Sequence, residues 1–402
     1  MRRRGWSSGL RWLGAGVIFA AFATAFSLAA VKLSPWPSGP SHPESVPPPA
    51  GTCPPPRAVA GAGSAVRAGA YYFDGWAGPL DDFHFRGLVS GRYAGREPLY
   101  GWRDDTPRSM EIQLEWAHRY GIRFFAFDWY YRPGRTQSPL LNHALGLYRR
   151  LPDHRGVGYA ITYVNTNTGE DFVVRPSAWA GVVRHWVAQD LASPDYVRVD
   201  GKPLLIVLDV QGFTRQFGGP AGVNAALRTL RRTAVAQGLP GVFVVGGVYV
   251  DRRFDWDWYR WVSRAETFDA FTQYAAPAAA GTTPGERSYP TVVSAMEADW
   301  NAFRASGAPF IPSVMAGWDP RPWQLTIGGR LWWFRRSPAQ VGEFAAAAFR
   351  YATANPIEPA PAKPIVLLEA WNEFGEGAFL APTVGSCHRY GEAVARALAG
   401  AG

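Results

Sequence analysis

Short apolar runs alternate with amphipathic stretches along most of this chain. The runs predict strands, because their β-branched and aromatic residues suit a pleated, half-buried surface. Eight runs follow one another: VRAGAYYFDGW, IRFFAFDWYY, GVGYAITYVN, PLLIVLDV, GVFVVGGVYV, FDAFTQYA, PFIPSVMAGWD and PIVLLEAWNE. Helix-like segments between them include TPRSMEIQLEWAHRYG, SPLLNHALGLYRRL, SAWAGVVRHWVAQDLA, NAALRTLRRTAVAQG and SPAQVGEFAAAAFRYATAN. Several of these segments begin at Ser or Thr, which are good N-caps, and some end at Gly.

Eight strands that alternate with helices fit a (β/α)8 barrel, also called a TIM barrel. An open doubly wound α/β sheet is the alternative. No G-x-G-x-x-G motif follows the first strand run, so a dinucleotide-binding fold has little support. P-loop and H-E-x-x-H patterns are also absent from the sequence. We therefore predict one (β/α)8 domain over residues 65–402.

The chain begins with a long apolar segment. Trp12 to Val31 contains no charged residue, and about 20 apolar residues span a bilayer as a helix. The arginines ahead of this segment favour a cytoplasmic N-terminus and an exported remainder. A cleavable signal peptide is the alternative, since SLAA supplies small residues for a cleavage site. We predict an uncleaved transmembrane anchor at 1–32, hence a single-pass cell-membrane protein with an exported domain; cleavage would give a secreted or periplasmic protein.

A proline-rich linker, residues 33–64, separates the predicted anchor from the barrel. Prolines in runs give an extended, semi-rigid spacer. The net charge is +9, but five of the basic residues flank the first apolar run, which leaves +4 (9 − 5) for the rest. They are Arg2, Arg3, Arg4, Arg11 and Lys32. No basic stripe indicates a nucleic-acid partner.

The two cysteines, Cys53 and Cys387, do not have the spacing of a metal site. They are either inert thiols or, in an exported domain, one disulfide. Because the first and last strands of a closed barrel are neighbours, a bridge between these cysteines is geometrically reasonable.

Polar and aromatic residues collect at the C-terminal ends of the predicted strands, where a barrel has its active site. They are Asp74, Trp76, Asp128, Trp129, Tyr130, Tyr131, Tyr163, Asn165, Asn167, Asp209, Gln211, Tyr249, Asp251, Gln273, Tyr274, Trp318, Asp319, Trp371, Asn372, Glu373 and Glu376. Loops are polar in any fold, but this does not explain why Trp and Tyr accompany nearly every acid. The pattern indicates a carbohydrate site, because sugar rings stack on aromatic faces; a large aromatic core is the alternative.

The segment EAWNEFGEG ends the last predicted strand. Side chains alternate along a strand, so Glu369, Trp371 and Glu373 should share the face toward the barrel interior. Glu376 reaches the same cavity only if the FGEG turn curls, which its two glycines permit. Two neighbouring carboxyls take different pKa values, and such a pair can cleave a glycosidic bond. A solvated acidic turn is the alternative when NEFGEG is considered alone.

Six segments, in order, resemble one known family. They are AYYFDGWAGP, EPLYGWRDD, GIRFFAFDWYY, LNHALGLYR, SVMAGWDPRP and IVLLEAWNEFGEGAFLAPT. They resemble the glycoside hydrolase family 99-like group, which includes the WbsX-type proteins of bacterial polysaccharide clusters, often labelled glycosyltransferases, and is related to the endo-α-mannosidases. The resemblance extends from about Ala70 to the C-terminus. It implies a (β/α)8 barrel, in agreement with the strand pattern, and glycosidase activity.

The resemblance also implies roles for the two glutamates. Glu373 would act as a base on the sugar 2-hydroxyl, whose oxygen attacks the anomeric carbon. Glu376 would protonate the leaving oxygen and then activate water, which gives retention through an anhydro-sugar. The usual retaining scheme has a carboxylate attack the sugar directly, and the sequence does not distinguish the two. Endo-mannosidases carry a His between the paired acids, where this chain has Phe374 and Gly375, so mannose specificity does not transfer.

We predict substrate contacts from the matching motifs and from the strand-end pattern. The motifs supply Trp76, Trp102, Asp128, Trp318 and Asp319; the strand ends add Asp74, Trp129, Tyr131, Asn165, Tyr249, Trp371 and Asn372. At least one of Asp104 and Asp105 should lie in a solvated turn. Glu369 should be hydrogen-bonded inside the barrel rather than a third catalyst. His118, His143 and His185 fall in helical stretches, which predicts surface positions or helix packing.

The predicted function is therefore hydrolysis of a poly- or oligosaccharide, with no cofactor and no metal. One alternative is a glycosyltransferase in surface polysaccharide synthesis, which needs an activated sugar donor. The one D-x-D sequence, Asp255 to Asp257, is more typical of a helix start than of a nucleotide-binding loop. The other alternative is a non-catalytic glycan-binding envelope protein that keeps the barrel.

Overall fold

The computed structural model describes most of the chain after the proline-rich linker. The described residues are 53–56, 64–82, 84–89, 91–134, 136–137, 141–166, 172–251, 253–274, 276–325, 327, 329–358 and 363–401. The predicted anchor and most of the linker lie outside these ranges. Within them, no helix combines the length and the apolar character needed to cross a membrane.

Strands and helices alternate along the described chain. The strands are β1 (Arg67–Tyr72), β2 (Ile122–Trp129), β3 (Tyr131–Arg132), β4 (Thr136–Gln137), β5 (Gly158–Tyr163), β6 (Arg198–Val199), β7 (Lys202–Val207), β8 (Phe243–Val248), β9 (Ala270–Gln273), β10 (Gly285–Ser288), β11 (Phe310–Ile311), β12 (Ser313–Met315), β13 (Trp332–Arg335), β14 (Ile365–Glu369), β15 (Asn372–Glu373) and β16 (Ala378–Phe379). The helices are α1 (Pro107–Arg119), α2 (His143–Arg150), α3 (Pro176–Trp186), α4 (Val210–Gln216), α5 (Pro220–Ala236), α6 (Trp256–Ala265), α7 (Tyr289–Ala305), α8 (Pro338–Ala354) and α9 (Arg389–Ala399).

Nine parallel segments form a nearly closed barrel, in agreement with the predicted TIM-barrel class. Their order around the sheet is β11-β9-β8-β7-β5-β2-β1-β14-β12. The predicted seventh strand is split at Pro312 into β11, which pairs with β9, and β12, which pairs with β14. Proline has no N–H to donate to a ladder. Its carbonyl still accepts a hydrogen bond from the Leu367 N–H, at the ordinary distance of 3.1 Å.

Two helices begin at the Ser or Thr that was predicted to cap them. Thr106 and Ser337 close capping boxes on α1 and α8, in which side chain and backbone satisfy each other's hydrogen bonds. Asp255 caps α6 by accepting the Trp258 N–H at 2.9 Å. The Asp255 to Asp257 sequence is therefore a helix start, as predicted, with Asp257 in the first turn.

A disulfide joins Cys53 to Cys387, with Cα atoms 5.4 Å apart. The sequence left this pairing open. Its geometric premise holds, because β1 pairs with β14 in a parallel ladder from Arg67 to Ala70. Cys387 lies two residues before α9, so the bridge fixes the chain ahead of the barrel to its last helical layer.

Candidate active site

A short hairpin after β14 carries both predicted catalytic glutamates. β15 and β16 pair in antiparallel fashion, with Glu373 opposite Ala378, and Glu376 lies in the turn between them. Gly377 has φ of 70°, a conformation that favours glycine, as the predicted curl requires. Gly375 serves a different purpose. A Cβ atom at this position would lie 2.1 Å from Cζ2 of Trp323, so only glycine lets the indole pack against the turn.

The hairpin borders a cavity at the C-terminal ends of the barrel strands. Its open space is about 540 Å³, including the mouth. The residues that line it are Phe73, Asp128, Tyr130, Val164, Thr166, Phe172, Leu208, Tyr249, Tyr274, Trp323, Glu373 and Glu376. Half of them are aromatic and three are acidic. This combination of ring faces and carboxyls suits a sugar, which has both apolar C–H faces and hydroxyls.

Burial dominates the electrostatics of the three acids that line the cavity. It raises the pKa of Glu376 to about 8. Burial also raises the pKa of Glu373 well above the usual glutamate value, and the negative charges of Glu376 and Asp128 add to this effect. The pKa of Asp128 is raised by burial and then by Asp74 and Glu376. Such surroundings favour the protonated form of a carboxyl as long as no cation or hydrogen-bond donor balances its charge.

Several oxygens of this acidic group lack hydrogen-bond partners among the described residues. They are Asp128 Oδ1, Glu373 Oε2 and both carboxyl oxygens of Glu369. Glu369 is buried beneath the cavity, and the prediction that it is hydrogen-bonded there is wrong. Burial, together with the charges of Glu376 and Asp128, raises the pKa of Glu369 well above its usual value, which favours the neutral acid.

The hairpin is fixed to β1 by backbone and amide hydrogen bonds. The Asn372 side chain accepts from the Phe73 N–H at 2.8 Å and donates to the Phe73 carbonyl at 2.9 Å. Trp76 Nε1 donates to the Asn372 carbonyl at 2.9 Å. The Trp371 N–H donates to the Tyr71 carbonyl at 2.7 Å. Asn372 and Trp76 therefore hold the glutamate-bearing segment in place rather than line the cavity.

Arg96 forms hydrogen bonds to the backbone of the turn between the two glutamates. Arg96 Nη1 donates to the carbonyls of Phe374 at 2.9 Å and Asp319 at 3.0 Å. The same guanidinium pairs with the Asp319 carboxylate, which also accepts from Arg321 Nε at 2.6 Å. Asp319 is thus engaged by two arginines behind the turn and does not line the cavity.

Two predicted tryptophans point away from the barrel interior. The indole of Trp371 donates to Gln113 Oε1 on α1 at 2.8 Å, so it faces the helices. β14 ends at Glu369, and the alternation of side chains along that strand does not extend to Trp371. The prediction that Trp371 shares a face with Glu369 is therefore wrong. Trp129 follows the cavity-lining Asp128 on β2 and packs on Trp186 of α3, with ring centroids 4.9 Å apart. Adjacent strand residues face opposite sides, so only one of the pair can line the cavity.

His143 occupies a site that the sequence did not predict. Its Nδ1 lies 2.5 Å from Asp74 Oδ1 and its Nε2 lies 2.8 Å from Asp104 Oδ1. Burial lowers the pKa of His143, but the two carboxylates outweigh burial and raise it to about 11. Asp74 also accepts from the Ala144 N–H at 2.9 Å, at the start of α2. Asp105 pairs with the exposed Arg103, so of the two aspartates it is the one in a surface turn.

The remaining predicted contact residues are buried and do not line the cavity. Asn165 donates to the Asp209 carbonyl at 2.8 Å and so joins the loops after β5 and β7. The others are Trp102, Tyr131 and Trp318. Of the predicted site residues, the structure brings Asp128, Tyr249, Glu373 and Glu376 together around one cavity.

The sequence-based set of site residues omitted eight residues that line the cavity. Tyr130 and Tyr274 belong to the strand-end pattern, which could have identified them. The others are Phe73, Val164, Thr166, Phe172, Leu208 and Trp323. Trp323 lies in a short 3-10 turn, Arg321–Trp323, far along the chain from the strands it approaches, and no local signal marks it.

Replacing Gly375 with Ala should lower the free energy of unfolding by about 1–3 kcal/mol, because the new Cβ would overlap the rigid ring of Trp323. The matched control is Gly181→Ala in α3, where the nearest atom to a Cβ is 3.9 Å away. That change should stabilise the helix by about 0.5–1 kcal/mol. Urea unfolding measures both values; equal stability of the two variants would contradict the packing argument.

Comparisons with known proteins agree with the fold and the motifs. Residues 175–394 match the family model described as Glycosyltransferase WbsX. A solved structure described as a glycoside hydrolase-like protein has a TM-score of 0.60 at 15% identity, covering 83% of this chain and 93% of its own. The family 99 endo-alpha-mannosidase of Bacteroides thetaiotaomicron, in complex with Bis-Tris-propane, has a TM-score of 0.57 at 15% identity, covering 83% and 96%. Comparison with curated protein sequences gives no match.

These two similarities are at low identity, and they establish the barrel fold alone. The WbsX match covers more than half of the chain and includes the hairpin with both glutamates. Within the described residues, no group of three or more His, Cys, Asp or Glu side chains is arranged to hold a metal ion.

Proposed function

The chain belongs to the WbsX glycosyltransferase family, and we propose that it is a glycoside hydrolase that cleaves a poly- or oligosaccharide. One observation carries the proposal: two buried glutamates of one hairpin, Glu373 and Glu376, line the same aromatic cavity. Paired carboxyls in different protonation states are the usual equipment for breaking a glycosidic bond.

Glu376 is the general acid in this proposal. With a pKa of about 8 it holds its proton at neutral pH and can donate it to the leaving oxygen. Glu373 is the base: it removes the proton of the sugar 2-hydroxyl, and that oxygen forms a bond to the anomeric carbon as the glycosidic bond breaks. Glu376, now ionised, then takes a proton from water, which opens the anhydro-sugar while Glu373 returns its proton to the 2-oxygen. Two displacements at one carbon give retention.

The predicted contact residues divide into two groups in this proposal. Asp128 and Tyr249 touch the sugar, together with the newly identified Tyr130, Tyr274 and Trp323. The other predicted residues do not line the cavity, and most of them support it through the hydrogen bonds and packing described above. They are Asp74, Trp76, Trp102, Trp129, Tyr131, Asn165, Trp318, Asp319, Trp371 and Asn372.

The test is incubation with an array of α-mannans and bacterial exopolysaccharides, followed by NMR of the products. The protein should begin ahead of Cys53, so that the disulfide is kept. We expect new reducing ends on at least one glycan, with the anomeric configuration of the cleaved bond retained in the first product. Absence of reducing ends across the array, or inversion, would contradict the proposal.

A second candidate is a glycosyltransferase, which the description of the matched family favours. This reaction requires an activated sugar donor. Calorimetric titration with nucleotide sugars tests it directly: binding would support transfer, whereas hydrolysis without such binding would exclude transfer from these donors. Binding of glycans with no turnover of any of them would instead support the non-catalytic alternative.

The proposed roles fix the pH dependence. Glu376 acts in its protonated form, so kcat/KM should fall as pH rises through about 8. The two carboxyls titrate as a pair whose reactive form holds one proton, on Glu376. Because burial also raises the pKa of Glu373, uptake of a second proton by the pair, and the loss of activity that accompanies it, should occur above the usual glutamate pKa. The profile should therefore be a bell displaced toward alkaline pH. A maximum near the ordinary glutamate pKa would contradict these assignments.

We propose that the domain is exported and remains attached to the cell membrane through residues 1–32. The Cys53–Cys387 disulfide supports export, because structural disulfides persist in oxidising compartments. Cell fractionation should recover the chain with membranes, with its barrel accessible to added protease from the exported side. Recovery from the cytoplasmic fraction, with reduced thiols, would contradict this assignment.

A further inference from the structure

The cavity is lined by acidic groups without a basic one among the described residues. Asp128, Glu373 and Glu376 line it, and Glu369 is buried directly beneath. None of the described lining residues is Lys, Arg or His. The nearby arginines are engaged elsewhere: Arg96 and Arg321 hold Asp319, and Arg336 donates to the Ala316 carbonyl and stacks over Tyr390.

Asp128 itself points to a ligand. It is 4% exposed, it lines the cavity, and its Oδ1 has no hydrogen-bond partner among the described residues. Glu373 Oε2 on the same cavity is likewise unpartnered. Buried carboxyl oxygens without partners are costly, so a bound molecule that donates to them gains affinity.

The chemistry of the cavity excludes some occupants. An acidic sugar would place a negative charge among buried carboxyls, and the described lining offers no cation to compensate for it. The side chains are not arranged to hold a metal ion within the described residues. A neutral hydroxyl can donate one hydrogen bond, but it brings no positive charge to stabilise the ionised form of a buried carboxyl.

We propose that the glycan bound in this cavity carries a protonated amine, as in a de-N-acetylated amino sugar, and that Asp128 binds this amine. The inference specifies the substrate class of the hydrolase proposed above and rests on it. An ammonium provides three donors and a positive charge for the unpartnered acceptors. The rings of Tyr130, Tyr249 and Tyr274 add faces that attract a cation.

The proposed reaction limits where the amine lies. Glu373 acts on the hydroxyl at C2 of the sugar whose bond is cleaved, so the amine belongs to another carbon of that ring or to the adjoining sugar. Probes should therefore carry the amine at different positions. D-glucosamine, D-galactosamine and 6-amino-6-deoxy-D-glucose meet this need, each compared with its N-acetyl derivative and with the parent sugar.

The experiment is calorimetric titration of the full chain with this panel at neutral pH. At least one amino sugar should bind about tenfold or more tightly than both its N-acetyl derivative and its parent, since a hydrogen bond that involves charged groups contributes more than the roughly 1.4 kcal/mol of a tenfold ratio. Asp128→Asn should remove this preference. Asp257→Asn, at an aspartate on α6 whose side chain is 90% exposed, is the matched control and should leave the preference intact.

Three outcomes would overturn the inference: equal or weaker binding of every amino sugar, a preference that survives in Asp128→Asn, or no binding of any amino sugar. The first and third depend on the wild-type chain alone, so a misfolded variant does not weaken the test. Turnover is assayed separately. If the protein hydrolyses glycans without preferring amines, this inference is wrong and the proposed hydrolase activity stands. If it prefers amines but hydrolyses no glycan, the proposed hydrolase activity is wrong.

Discussion

Replacing Glu376 with Gln should lower the rate of glycan hydrolysis by about 10²–10⁴-fold, the usual contribution of a general acid. The amide keeps the size of the side chain and loses the proton that the leaving oxygen needs. Substrates with an acidic aryl leaving group need less protonation, so their hydrolysis should fall much less. The same variant should also lack the alkaline decline in activity near pH 8, because the group responsible for that decline is gone.

Replacing Glu373 with Gln should lower hydrolysis by a similar factor of about 10²–10⁴, but for natural and aryl substrates alike. The base is required in the first step whatever the leaving group. Glu343→Gln, at an exposed glutamate on α8, is the matched control and should leave the rate unchanged. Full activity in both hairpin variants would show that Glu373 and Glu376 do not catalyse the hydrolysis.

Loss of the disulfide should be the largest change in stability. The bridge closes a segment of 334 residues, and restricting so long an unfolded chain contributes about 6 kcal/mol in the chain-entropy description. Exchanging both Cys53 and Cys387 for Ser should lower Tm by roughly 5–10 °C for a domain of this size. Differential scanning calorimetry under non-reducing conditions measures the shift.

The control for this prediction is the wild-type chain treated with a thiol-free reductant. It should unfold at the same temperature as the double serine variant, because both lack the same cross-link. Addition of the reductant to the variant should change nothing. If the wild type keeps its Tm after complete reduction, the bridge does not contribute to the stability of the barrel.

The barrel was predictable because its strands differ so clearly from its helices. Every predicted strand run contains an observed parallel segment, and Thr106 and Ser337 mark helix starts in the sequence and in the structure. The split of the seventh strand is the exception. Pro312 was visible in the sequence, but whether a proline ends a strand or lets two halves pair with different neighbours depends on the partners around the barrel.

The site was predictable in its acids and less so in its aromatics. Glu373 and Glu376 follow the last strand directly, so their position is set by local chain geometry. Tryptophans at strand ends were a misleading signal: Trp129 and Trp371 fill the layer between barrel and helices, whereas Trp323, which lines the cavity, lies in a turn. Strand alternation would have separated Asp128 from Trp129. No local rule would have placed His143 between two aspartates that lie 39 and 69 residues before it (143 − 104 and 143 − 74).

The covalent link at Cys387 also determines how the domain responds to tension. A pull on the chain ahead of Cys53 passes through the sulfur atoms to the residues just before α9 and bypasses the segment that leads into β1. A force on the leading segment therefore does not act on β1 directly. Phe73, which follows β1, keeps its hydrogen bonds to the Asn372 side chain under such a force.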